Sequence, residues 1–161
     1  MAVAVRQSGL AVQLLEEYEV YCTLASVLER EQEALVAAAS DRVAAIAGEK
    51  ERVTRRLGEL GSRRVTLLRA QGASGDAAGM HAWLSGHPDQ AAQVGPAWAR
   101  LSAIAETTRQ QNKTNGRLID ALVQHLQIRL NVISSATCAN PTYGSNGMTE
   151  PIRVRAGLRH S

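Results

Sequence analysis

The amino-acid composition lacks the features of several large protein classes. There is no phenylalanine, and aromatic residues make up only 3% of a chain in which hydrophobic residues make up 45%. The apolar side chains are therefore mainly leucine, alanine, valine and isoleucine, which favour helix packed on helix over a β-sandwich. No apolar run approaches the roughly 20 residues that span a bilayer, and residues 1–6 are too short for a signal peptide. These absences predict an all-α, cytoplasmic protein.

The residues that commonly carry catalysis or bind metals are also scarce. The two cysteines, Cys22 and Cys138, are far apart and have no second cysteine or histidine at ligand spacing, so we expect free thiols. The four histidines are scattered along the chain and match no common zinc spacing. Nucleophile-elbow, phosphate-loop and dinucleotide-binding motifs are absent. We therefore expect no enzyme activity, no metal site and no cofactor.

Charge is distributed unevenly along the sequence. The formal net charge is +3, but residues 10–39 carry six acidic residues and one arginine, whereas residues 41–70 carry eight basic and four acidic residues. Two neighbouring helices with these charges can neutralise each other, which weakens the case for a polyanionic partner. An alternative is that the second segment binds nucleic acid through Arg52, Arg55, Arg56, Arg63, Arg64 and Arg69, although no aromatic residues interleave with them.

Apolar residues recur at helical spacing in three long segments. The pattern predicts helices at about 8–39, 41–70 and 96–134, with a short helix at 80–85. We expect a turn at Ser40–Asp41, with one of these residues as N-cap; a continuous helix with a phase shift is the alternative. The glycine-rich stretch 71–79 and Gly95–Pro96 predict breaks. The expected fold is an elongated antiparallel three-helix bundle or coiled coil over residues 1–137, followed by a disordered tail at 138–161.

The last long segment places two asparagines in an apolar seam. Asn112 and Asn115 fall at positions of the 3-4 repeat where leucines are expected. A polar residue in such a seam lowers stability and is often retained because it fixes helix register or binds a partner. An equal alternative to partner binding is that each asparagine packs inside the protein and bonds to a neighbouring group. Gly116, directly after them, removes a side chain from the helix surface and would allow another helix to approach closely.

Two short motifs resemble those of a known family. The stretch N-K-T-N-G-R-L-I, Asn112 to Ile119, resembles the N-x-x-N-G-x-L-[IL] core of the FlgN-type flagellar export chaperones. The stretch P-T-Y-G-S-N-G, Pro141 to Gly147, resembles their T-[LV]-Y-G-x-x-G element, although Thr142 replaces an aliphatic residue. Trp98 and Glu49–Lys50 also stand where that family tends to have them. The resemblance implies a non-enzymatic, cytoplasmic chaperone of flagellar type III export with the hook-filament junction proteins FlgK and FlgL as clients.

A candidate binding surface follows from the apolar face of the long helix. This face is wider than one partner helix needs, so it can accept another amphipathic helix. We expect the client site to be formed or bordered by Asn112, Asn115, Gly116, Leu118, Ile119, Leu122, Val123 and Leu126. The alternatives are that these residues form the intramolecular core, or that the chain is a structural coiled-coil oligomer. The resemblance further implies that Tyr143 docks on the cytoplasmic domain of the export gate protein FlhA.

Overall fold

The computed structural model describes residues 9–138, with side chains described as far as residue 135. Four helices follow one another: α1 (Gly9–Val36), α2 (Ser40–Ala70), α3 (Ala77–Gly86) and α4 (Pro88–Cys138). Residues 9–138 contain no strand. The prediction of an all-α fold with three long helices is therefore confirmed, whereas the predicted tail lies, from residue 139 onward, outside the described residues.

The turn between α1 and α2 is made by alanines. Helix α1 ends at Val36, and Ala38 adopts a left-handed conformation with φ of 49°. Ala39 is the N-cap of α2 and makes no side-chain capping hydrogen bond. The predicted turn is confirmed, but the prediction of Ser40 or Asp41 as N-cap is wrong. The Ala39 carbonyl oxygen accepts the first intrahelical hydrogen bond of α2, from the Val43 N–H at 3.0 Å.

Helix α3 begins three residues earlier than predicted because Asp76 caps it. The Asp76 carboxylate accepts a hydrogen bond from the Gly79 N–H at 2.8 Å and another from the Ser74 hydroxyl at 2.6 Å. A Cβ atom at residue 79 would lie 1.9 Å from the Ser74 carbonyl oxygen, so this tight cap requires glycine. The glycine-rich stretch 71–79, which was predicted to be a break, therefore contains the start of α3.

Helix α4 begins at Pro88, eight residues before the predicted start. Pro88 occupies the first helical position, where its missing N–H is not needed. Pro96 lies inside the helix, so the predicted break at Gly95–Pro96 is wrong. An internal proline costs about 3 kcal/mol, but Val94 and Ala97 on either side are buried in the core. Tertiary packing thus holds the helix together across the proline.

The chain divides into two units, Met1–Ile119 and Asp120–Ser161. In the first unit, α2 runs antiparallel to α1, as shown by the Arg30–Glu49 and Glu17–Arg64 pairs. Helix α4 runs parallel to α1, because its early residues share a core with the start of α1 and Asn115 bonds near the end of α1. The main core consists of Leu10, Ala11, Leu14, Leu68, Met80, Trp83, Val94, Ala97 and Leu101. This is the predicted up-down-up arrangement, with α3 closing one end of the core.

Candidate partner-binding site

The two asparagines of the seam take part in a polar cluster of the first unit. The side-chain amide of Asn115 donates to the Leu28 carbonyl oxygen and to Glu31 Oε2, both at 2.8 Å. Lys50 Nζ donates to Glu31 Oε1 at 2.7 Å and to Asn112 Oδ1 at 3.2 Å. All three long helices therefore meet at one buried carboxylate, since the Glu31 side chain is only 3% exposed.

Within this cluster the two asparagines differ in exposure. Asn115 is 1% exposed, and its Oδ1 atom is buried without a hydrogen-bond partner. Asn112 is exposed and reaches inward only through its bond to Lys50. The structure thus gives Asn115 a packing role inside the bundle. Whether either asparagine also contacts a partner stays a prediction. In the second segment, Lys50 occupies a position of the 3-4 repeat where an apolar residue is expected. This charged residue was the feature of the sequence that could have indicated the cluster.

A second buried ion pair lies on the same side of the bundle. Arg64 donates through Nε to Glu17 Oε2 at 3.0 Å and through Nη2 to Glu17 Oε1 at 3.3 Å. The guanidinium carbon also lies 5.5 Å from the centre of the Trp98 ring, a cation–π distance. Burial raises the pKa of the Tyr21 hydroxyl, and the nearby Glu17 carboxylate raises it further. Trp98 and Lys50, two positions noted for the family resemblance, therefore both support bundle packing.

A cavity of about 750 Å³ lies between α1, α2 and α4 of the first unit. Its charged lining residues are joined in pairs, Glu17 with Arg64 and Glu106 with Arg109, while Lys50 bonds to Glu31. Hydrogen bonds from Arg109 and Gln110 lower the pKa of the Glu106 carboxyl to about 2. The remaining lining is mostly small or apolar, as at Gly58 and Ala105. Charges in this cavity are thus used within the protein.

The next predicted site residues are neither fully buried nor fully exposed. Gly116 is half-buried, and nothing lies within 4 Å of the position that a Cβ atom would take. No neighbouring helix of the described chain therefore uses the close approach that Gly116 permits. Leu118 is half-buried, and Ile119 is 38% exposed.

In the second unit, α4 exposes most of its apolar side chains. Leu122 is half-buried, and Val123 and Leu126 are 46% and 56% exposed. Four more large apolar residues are about 60% exposed, namely Ile128, Leu130, Val132 and Ile133. The site prediction omitted these four, although Leu130 and Ile133 continue the same helical arc. Tyr143 lies outside the described residues.

Burial of α4 stops close to the end of the first unit. Glu31 and Asn115 are 84 positions apart in the sequence, and α1 runs parallel to α4. At that separation Val36, the last residue of α1, corresponds to Asp120. The first unit ends at Ile119, and Asn115 is the last buried residue of α4 among the described side chains.

Several other functions receive no support from residues 9–138. No group of three or more histidine, cysteine, aspartate or glutamate side chains in this range could hold a metal ion, and none of its helices is long and apolar enough to cross a membrane. On α2, Arg55 pairs with Glu51, Arg56 pairs with Glu16 and Glu59, and Arg64 pairs with Glu17. Three of the six arginines proposed for nucleic-acid binding are thus already neutralised.

These features define a helical-bundle protein whose last helix has exposed apolar side chains between Ile119 and Ile133. The profile of the family described as FlgN protein matches residues 1–151, and the chain belongs to that family. FlgN proteins are flagellar export chaperones, a family of binding proteins and not of enzymes. Neither the curated proteins nor the solved structures give a significant match.

Proposed function

We propose that this protein is a cytoplasmic, substrate-specific chaperone of flagellar type III export. Its clients are the hook-filament junction proteins FlgK and FlgL, whose amphipathic terminal helices it binds and delivers to the export gate. The observation that carries this proposal is the exposed apolar surface of α4 in the second unit, centred on Leu126. Membership of the FlgN family supports the chaperone role.

An exposed surface of this kind favours binding of an apolar helix. Burying a leucine or isoleucine side chain fully contributes roughly 1.5–3 kcal/mol. Leu122, Val123 and Leu126 recur at the 3-4 spacing of one helix face, so a partner helix can cover all three together. An amphipathic client helix also exposes apolar side chains when it is free, so the complex buries apolar surface on both proteins.

The test is calorimetric titration of the full-length protein with a peptide carrying the C-terminal amphipathic helix of the client. The variant Leu126→Asp places a carboxylate on the apolar surface, and Gln127→Asp places the same charge on the neighbouring exposed position. We expect Leu126→Asp to weaken binding by more than about tenfold, because it removes apolar contact and buries a charge. Gln127→Asp is expected to bind as the wild type does.

Both variants should keep the fold, since neither position is buried. Circular dichroism, which measures the total helix content, checks this before titration. Wild-type affinity in a folded Leu126→Asp variant would exclude this surface as the client site. No binding by the wild-type protein would remove the client assignment altogether.

The second part of the proposal concerns delivery. Tyr143 would provide an aromatic anchor for docking on the cytoplasmic domain of the export gate protein FlhA, since aromatic residues often dominate the free energy of such interfaces. Tyr143→Ala is expected to weaken binding to that domain by at least about tenfold while client binding stays unchanged. Unchanged affinity for the domain would contradict the role of this tyrosine.

A further inference from the structure

The apolar surface of the second unit is wider than one partner helix covers. Wound at about 100° per residue, Leu122, Val123, Leu126, Leu130 and Ile133 fall within an arc of about 100°, here called face A. Ala121, His125, Ile128 and Val132 follow a 4-3-4 spacing within a separate arc of about 60° on the opposite side, here called face B. Ile128 and Val132 are 61% and 63% exposed, as much as Leu130 and Ile133 on face A.

The rest of the circumference is polar on one side only. Asp120, Gln124, Gln127, Asn131, Ser134 and Ser135 all fall within one arc of about 100°. On the other side the two faces are separated by Arg129 alone among residues 120–135. Together with the Arg129 position between them, the two faces span about 220° of the helix circumference, which is wider than the surface that one packed helix covers.

We propose that two amphipathic helical segments of one client chain pack on this helix, one on face A and one on face B. This inference deepens the proposed function and rests on it. Asp120 lies in the polar arc and Arg129 at the border between the two faces, so both of these charged side chains lie outside the faces. This placement favours an apolar partner. A dimer formed through either face would leave the other face uncovered, whereas a client hairpin covers both and leaves the polar arc in water.

The first experiment compares three matched double variants of the full-length protein. Leu126→Ser with Leu130→Ser alters face A, Ile128→Ser with Val132→Ser alters face B, and Gln124→Ser with Gln127→Ser alters the polar arc. Each replaces two exposed side chains with serine, so effects on helix propensity and folding are similar. Binding to the complete client and to its single C-terminal helix is measured by calorimetry.

We expect the face A variant to lose affinity for both ligands. The face B variant should bind the complete client at least about tenfold more weakly but bind the single-helix peptide as the wild type does. The polar-arc variant should match the wild type with both ligands. A face B variant that binds the complete client with wild-type affinity would overturn the two-segment inference and leave the proposed function intact.

Photo-crosslinking from positions 126 and 128 gives an independent result. A benzophenone side chain at position 126 should attach to one client segment, and the same group at position 128 should attach to another. Attachment of both to one segment, or attachment of position 128 to a second copy of this protein, would overturn the inference. Failure of the wild-type protein to bind the complete client would refute the proposed function itself, and the inference with it.

Discussion

Replacing Lys50 with methionine tests the polar cluster that joins the three long helices. The substitution keeps the length and apolar stem of the side chain but removes the ammonium group 2.7 Å from Glu31 Oε1. The Glu31 carboxylate, 3% exposed, would then retain only the amide of Asn115 as a partner. Removing one member of a fully buried ion pair costs roughly 3–5 kcal/mol. Because Lys50 itself is 28% exposed, we expect a loss of about 2–3 kcal/mol.

Urea unfolding measures this loss in the relevant unit. Both tryptophans of the chain, Trp83 and Trp98, lie in the first unit, so their fluorescence reports its unfolding. With a slope of about 2 kcal/mol per molar urea, the midpoint should fall by about 1–1.5 M. Lys113→Met, at an exposed position of α4, is the matched control and should change the free energy of unfolding by less than about 0.5 kcal/mol. Equal midpoints for the two variants would refute the assignment of a structural charge to Lys50.

Two further predictions concern the other ion pairs of the first unit. Arg64→Lys removes the two-pronged contact with Glu17 and the stacking over Trp98. We expect the free energy of unfolding in urea to fall by about 1–2 kcal/mol and the tryptophan fluorescence to change. An unchanged urea midpoint would contradict this. Because the pKa of Glu106 is lowered from 4.5 to about 2, the stabilisation from its pairing is present above pH 4.5 and is lost as the pH falls through 2. A pH titration followed by carbon NMR should give a midpoint of about 2 for the Glu106 carboxyl, and Arg109→Gln should raise that midpoint. A midpoint near 4.5 in the unaltered protein would contradict the pairing.

The long helices could be predicted from sequence because apolar spacing alone requires them. The ends were harder to predict, for physical reasons that differ from place to place. At Ala38 the chain turns without glycine or proline, because the packing of α1 against α2 outweighs the local preference of alanine. At Pro96 the helix continues because Val94 and Ala97 are buried on either side. Asp76 was a recognisable cap that the glycines around it obscured.

The candidate site was only partly predictable, because a seam pattern does not say which molecule provides the partner helix. Thr108 and Asn115 continue the same 3-4 rhythm as Leu122 and Leu126, yet the first two are buried and Leu126 is exposed. The first two residues lie in the first unit, whereas Leu126 lies in the second. Because the seam pattern continues unchanged across Ile119, the sequence alone could not place the boundary between internal packing and exposed surface.

The buried polar cluster also sets the register of α4 against α1 in the first unit. Sliding α4 along α1 by one heptad would replace Asn115 by Leu122 beside Glu31, and would replace the buried Leu101 by Thr108. Such a shift would set a leucine against the buried Glu31 carboxylate and would break the amide bonds of Asn115 to Glu31 and to the Leu28 carbonyl oxygen. Leaving those buried groups without hydrogen bonds costs about 1–3 kcal/mol each. A polar residue in the seam therefore fixes the register of α4 against α1 in the first unit.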